Sequence, residues 1–155
     1  MRARRVKYAG QRGFTLPELL ATIAVIIIMS LAGLPFLLTY LPSVTLAWAT
    51  RDMQSALNRA KLLAVTTRQN ICVQVIPGGY KFLTGNCVGT SWKGPGTDSG
   101  GTFWLPDNIT ASNGGTSPIF TKFGTASQAG TITVTGPGGQ SRTVSVSATG
   151  QIAIP

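Results

Sequence analysis

Apolar and polar positions divide the chain into stretches of different period. From Leu19 to Leu41 no residue is charged, and the run through Ile23–Leu31 has no polar face. At about 1.5 Å per helical residue this segment reaches roughly 35 Å, enough to cross a hydrocarbon core of about 30 Å. From Trp48 to about Gln69 the pattern becomes one-sided. Met53, Leu57, Ala60 and Ala64 fall on one stripe of a 3.6-residue period, while Arg51, Gln54, Asn58, Lys61 and Arg68 lie mostly off it. Pro35 and Pro42 predict kinks rather than ends, because helical patterning resumes after each.

Beyond residue 70 the period drops to two. Residues 71–76 and 80–84 flank Pro77-Gly78-Gly79, which reads as a hairpin. Residues 103–105 and 109–111 are weaker strand candidates, followed by 119–123, 131–135, 142–148 and 151–154. Ile132/Val134, Val144/Val146 and Ile152/Ile154 point one way and Thr and Ser the other. A sheet with one apolar face needs a cover, and the amphipathic helix is the one available. The expected fold is α+β, one long N-terminal helix packed on an antiparallel sheet, with no internal repeat.

Charge orients this arrangement. The net charge is +9, and five of the thirteen Lys and Arg residues (Arg2, Arg4, Arg5, Lys7, Arg12) precede the apolar run. Basic residues on that side hold the N-terminus in the cytoplasm and send the rest across. A secretory signal cut after Ala47-Trp48-Ala49 is the alternative, but its apolar region usually spans about 7–15 residues, shorter than this one. Charged residues make up only 11% of the chain against about 25% in ordinary globular domains, and 16 of the 19 glycines follow residue 77. Both features fit a membrane segment joined to a Gly/Thr/Ser-rich extracytoplasmic β-domain. With no histidine and four scattered acids (Glu18, Asp52, Asp98, Asp107), no triad, His-based metal site or adjacent carboxylate pair is available. No catalytic residue, metal or cofactor is expected.

The segment Arg12-Gly13-Phe14-Thr15-Leu16-Pro17-Glu18-Leu19-Leu20 resembles the signal of type IV pilins and type II secretion pseudopilins. That resemblance implies cleavage between Gly13 and Phe14 by a prepilin peptidase, methylation of the new amine of Phe14, and an assembly role for Glu18. In the family this acid pairs with the N-terminal amine of a neighbouring subunit. Such a pair answers a physical problem, since a carboxylate entering a bilayer costs on the order of 2.5–3.5 kcal/mol unless it finds a partner. Pro17 departs from the family's usual aliphatic residue, yet proline is tolerated in a first helical turn. Further on, Phe123-Gly124-Thr125, the Gly130-Thr-Ile-Thr-Val run and Arg142-Thr-Val-Ser-Val-Ser-Ala-Thr-Gly150 resemble the GspH/FimT group of minor pseudopilins. The implied organisation is a leader at 1–13, a transmembrane and assembly helix at 14–41, a spine helix at 42–69 and a periplasmic β-domain at 70–155. The implied location is the bacterial inner membrane, single-pass, with incorporation into a filament. Implied partners are the prepilin peptidase, other pseudopilins or pilins, and the inner-membrane assembly platform.

Two readings accompany the resemblance. Cys72 and Cys87, in a translocated domain, read as a disulfide worth about 3 kcal/mol, although a tight turn at 77–79 sets Cys72 nearer Thr84 and the bond then needs a bulge or bend. A redox pair or metal site is the other possibility, without the CxxC or histidine that would support it. The second reading is DNA uptake, for which some relatives use arginines in a C-terminal Gly-Arg-x-Arg-Ile segment. Here the corresponding residues are Gly150-Gln151-Ile152-Ala153-Ile154, and from Gln69 onward Lys81, Lys93, Lys122 and Arg142 face Asp98 and Asp107, a net of +2. Phosphate-driven binding asks for a concentrated basic patch, so nucleic acid is not the expected partner.

Overall fold

The computed structural model describes residues 14–155, with residues 32–40 described in backbone only. The expected leader at 1–13, Gly13 included, and the side chain of Pro35 lie outside the described residues. One helix, α1 (Leu16–Thr67), passes through Pro35 and Pro42 without ending. Packing divides the chain into two units, 1–39 and 40–155.

In the first unit, α1 begins where the Thr15 carbonyl accepts the amides of Glu18 at 3.0 Å and Leu19 at 3.1 Å. Pro17 fits this turn because donors there have no intrahelical partner to lose. Leu16, Leu19, Leu20, Ile23, Ile26, Ile27, Ile28 and Met29 are all exposed, so apolar side chains cover every side of the helix. Thr22 and Ser30 donate their hydroxyls back to the Leu19 and Ile26 carbonyls, each at 2.8 Å, which hides both polar groups within the helix itself. Among the described residues no helix is long and apolar enough to cross a membrane. The side chains that complete the expected span, 32–40, lie outside that set.

In the second unit the expected stripe is buried. Met53, Leu57, Ala60 and Ala64 have no exposed surface, and Leu46, Ala49 and Ala56 extend the same face. Its many alanines let strands approach the helix closely; a Cβ on Gly136 would already press on Leu46 at 3.2 Å. Two polar residues off the stripe tie the helix down. Lys61 Nζ donates to the Gly150 carbonyl at 2.9 Å and Gln54 Nε2 to that of Ile152 at 3.4 Å. The helix ends where the Gln69 amide reaches back to the Ala64 carbonyl at 3.2 Å, with Arg68 in the left-handed region at φ 55°. This is the Schellman arrangement, with arginine where glycine is usual.

The strands are β1 (Ile71–Ile76), β2 (Gly79–Thr84), β3 (Thr102–Trp104), β4 (Thr110–Asn113), β5 (Ile119–Phe120), β6 (Ala126–Gln128), β7 (Gly130–Thr135), β8 (Ser141–Val146) and β9 (Ile152–Ala153). They form two antiparallel sheets, β3-β2-β1-β5-β6 and β4-β7-β8-β9, rather than the single sheet expected. Pro106, which has no amide to donate, follows β3 and Leu105, and Asn108 takes φ 64° in the turn that sends β4 to the second sheet. β6, absent from the sequence expectation, pairs with β5 after a turn at Thr121–Gly124, where the Gly124 amide bonds the Thr121 carbonyl at 2.9 Å. β5 therefore stops at Phe120 instead of reaching residue 123. The first hairpin keeps its expected place, with Ile76 opposite Gly79 and Gly78 at φ 75° after Pro77. Proline then glycine at positive φ suits a type II turn.

Both sheets bury their apolar faces on one helical stripe, joining Ile71, Val73, Phe82, Phe120, Ile132, Val134, Val144 and Val146 in one core. Aromatic rings fill the first sheet's share. Phe103 lies 5.0 Å from the ring centres of both Tyr80 and Phe82, and the Arg59 guanidinium sits 5.7 Å above the Phe103 ring. Burial, with the Asp52 charge adding and the Arg59 charge opposing, pushes Tyr80 from its ordinary 10.0 up to about 12. Between those two pH values an unfolded tyrosine ionises while Tyr80 stays neutral, so stability falls as pH rises. The second unit, the head, should lose on the order of 2–3 kcal/mol from this source between pH 10 and 12. Chemical-denaturation curves of Tyr80→Phe beside the wild type, across that range, should show the variant lacking this share of the loss.

Candidate assembly interface

The sequence singled out Gly13, Phe14, Glu18, Cys72 and Cys87. Gly13 lies outside the described residues. Phe14 is exposed and precedes the helix, and Glu18 is the acid of the first turn. Thr15 caps the helix through its carbonyl, which places Glu18 three residues on, where the positive end of the helix dipole favours a carboxylate. The spacing also matches the Ser/Thr-x-x-Glu start signal. Among the described residues Glu18 makes no ion pair, and Ala21, Thr22, Val25 and Ile26 follow it along the same exposed face of the helix. An unpaired acid thus stands at the tip of an apolar helix, beside the residue that cleavage after Gly13 would make N-terminal.

Cys72 and Cys87 are bonded, with Cα atoms 5.2 Å apart. Cys72 lies between Ile71 and Val73, which belong to the core, so its own side chain faces the outer side of the sheet. The register problem is solved by a bend after β2. Gly85 at φ 87° donates its amide to Asn70 at 2.7 Å, and the Asn86 side chain accepts the Val88 amide at 3.1 Å. Thr84 and Thr90 then pair through backbone and hydroxyls, and Trp92 donates to Phe82 at 2.8 Å. The chain between them doubles back and lays Cys87 over Cys72. Removing the bond by Cys72→Ser with Cys87→Ser should cost about 3 kcal/mol, seen as a lower midpoint in urea for the head.

Two further features of the head surface carry no sequence signal of their own. Asp98 Oδ1 accepts the Gly100 and Thr102 amides, each at 2.8 Å, and Oδ2 accepts the Trp104 indole at 3.1 Å. The Thr102 amide, then that of Gly100 and the indole, hold the carboxyl below its ordinary range, with desolvation opposing. Phe123 is 80% exposed on a turn that is fixed in place: Gly124 (φ 79°) packs on Lys61 and Val65, and a Cβ on Gly150 would collide with the Gly124 carbonyl. The cations weighed for DNA do not converge by element. Lys81 stands on β2, Lys93 in the loop before β3, Lys122 in the β5–β6 turn and Arg142 on β8 of the other sheet. Gln151 and Ala153 are exposed.

A helix with an apolar first half and a β-head seated on its second half defines a type IV pilin-like subunit. Residues 49–150 match the family described as "Type II transport protein GspH", and residues 8–34 match the "Prokaryotic N-terminal methylation motif". The chain belongs to the GspH family. Among solved structures it is similar to the minor pseudopilin EpsH from the type 2 secretion system of Vibrio cholerae, at TM-score 0.55 and 11% identity over 71% of this chain and 95% of that one. It is also similar to the type IV minor pilin FimU of Pseudomonas aeruginosa strain PAO1, at TM-score 0.52 and 22% identity over 71% of this chain and 92% of that one. No curated protein sequence matches the chain.

Proposed function

We propose that this protein is a minor pseudopilin or minor pilin, a structural subunit without catalytic activity that joins the tip or initiation complex of a filament. The observation that carries this reading is the N-terminal arrangement: an exposed Phe14 and, among the described residues, a Glu18 without an ion pair and an exposed apolar helix surface, on a chain of the GspH family. In this reading prepilin peptidase cuts between Gly13 and Phe14, and the Phe14 amine is methylated. Residues 14–41 hold the subunit in the inner membrane with the head in the periplasm, where a disulfide is stable. On entry into the filament the apolar helices bundle with those of other pseudopilins or pilins, guided by the assembly platform. The ammonium of one subunit and the Glu18 carboxylate of the next satisfy each other where neither is cheaply hydrated.

Intact-mass measurement of membrane-extracted protein should give a chain starting at Phe14 with one added methyl group. A start at Met1 or Thr50 would remove the reading. Glu18→Ala should insert in the membrane normally but enter sheared filament fractions at a lower level than wild type expressed beside it. Equal incorporation would show that Glu18 sets no register.

A further inference from the structure

The last turns of α1 carry an apolar ridge with a cation-bordered hollow on each side. At 3.6 residues per turn Leu62 lies opposite the buried stripe of Met53, Leu57, Ala60 and Ala64, with Val65 and Thr66 one turn further on. Leu62 is 63% exposed and Val65 43%. Thr66 donates its hydroxyl back to the Leu62 carbonyl at 3.0 Å, so its polar group is spent inside the helix. One hollow lies between Leu62 and Trp92, with Arg59 beside it. The other lies between Val65 and Phe123, with Arg68 and Lys122 beside it. By helical position Arg59 and Arg68 fall on opposite sides of Leu62.

Both aromatic walls are held from behind. Trp92 stacks on Phe103 with ring centres 6.3 Å apart and donates its amide to the Phe82 carbonyl at 2.8 Å. Phe123 is 80% exposed, on the turn whose Gly124 packs against Lys61 and Val65. Three cations and no carboxylate border the hollows. The Arg59 guanidinium lies 5.7 Å from the centre of the Phe103 ring and the Lys122 ammonium 5.2 Å from that of Phe123, contacts that leave N–H donors free. Among the described residues none of the three cations forms an ion pair.

An apolar ridge between unpaired cations asks for its inverse, an apolar side chain between carboxylates. The unit 40–155 holds eight Lys and Arg against three Asp, and one of those, Asp98, is satisfied by its own loop. A second copy of this chain therefore does not offer the complement. Duplex DNA does not either, because cations spread around a ridge are not a concentrated patch and phosphates leave Leu62 uncovered. Roughly 36 Å of helix separates Leu41 from Val65, which takes the ridge well past the expected span.

We propose that this ridge and its two hollows are the docking site for a different subunit of the same filament. That subunit lays an apolar side chain over Leu62 and Val65 and sets carboxylates against Arg59 on one side and Arg68 and Lys122 on the other. The preformed aromatic walls lower the ordering cost of the contact. Charge supplies the selection: an acidic head is accepted, and another basic head of this kind is refused. The inference deepens the proposed role as a minor subunit and rests on it for the presence of other subunits.

The test uses the full chain in native membranes and filament fractions. Phe123→p-benzoylphenylalanine keeps a ring at the hollow and, on illumination, bonds to what touches it. The same group at Val88, 88% exposed beside Cys87, is the control. The adduct at 123 should join a subunit of different sequence through a peptide that contains Asp or Glu, and the Val88 probe should give little of it. Arg59→Glu with Arg68→Glu should lower the yield about tenfold, while Arg59→Lys with Arg68→Lys keeps most of it. Lysine in place of the carboxylates of the cross-linked peptide should restore the yield with the Glu variant. An adduct to a second copy, to lipid or to DNA, or a yield unchanged by charge reversal, would overturn the site. Filaments that contain chains starting at Phe14 yet give no adduct at 123 would sink this inference alone. Chains that start at Met1 would overturn the proposed role, and this inference with it.

Discussion

Neither sheet can bury its apolar face by itself, and the second half of α1 is a surface both share. Met53, Leu57, Ala60 and Ala64 are fully buried because Phe82 and Phe120 of one sheet and Ile132, Val134 and Val144 of the other converge on them. The small side chains along this stripe matter as much as the apolar ones. Alanine lets backbone approach where leucine would hold it off, and cores resist added volume at about 1–3 kcal/mol per misfit. Lys61 and Gln54 then bond the β8–β9 turn and β9, so the helix also fixes where the second sheet begins its return. The Phe123 turn is seated on that same segment, between Lys61 and Val65. Spine, sheets and exposed corner therefore depend on one four-turn stretch of helix.

Much of this was legible because pattern and punctuation agreed. The helical stripe, the β1–β2 hairpin and the alternation of β7 and β8 each combine a clear period with a Gly or Pro turn, and each formed where that combination placed it. β6 was not legible. Ala126-Ser127-Gln128 has no apolar alternation, and it becomes a strand because β5 stands ready on one side and the Ala126 amide reaches Ala148 on the other, at 3.0 Å. The division into two sheets was hidden for a similar reason, since the choice between β3 and β7 as partner for β4 is made by tertiary pairing. At the candidate site, Phe14 and Glu18 stand out by motif. The hollow at Phe123 does not, because Arg68 and Lys122 meet across more than fifty residues of sequence.

Asp98 and Glu18 stand in very different surroundings. Asp98 is surrounded by its own donors, two amides and an indole, and so is complete within the subunit. Glu18 has the helix dipole and, among the described residues, no cation. A self-satisfied acid shapes its loop and presents Trp104; an unsatisfied one beside an apolar surface favours any arrangement that brings a positive group to it. The difference in local completeness separates a fixed surface feature from a group whose partner lies elsewhere.

The disulfide has a consequence for the order in which the head is built. Its two cysteines are 15 residues apart, and the elements that bring them together, β1, β2 and the bend that returns through Thr90 and Trp92, are contiguous in the chain. Everything the bond requires is present in the chain once residue 92 has been made, while β5, β6 and the whole second sheet are still to come. A locked hairpin next to the end of α1 then offers later strands a finished edge, so β5 adds to β1 rather than searching for it. Short-range closure of this kind carries a small loop-entropy cost and favours fast, vectorial folding. In a chain synthesised from its N-terminus, the staple sits where it is useful earliest.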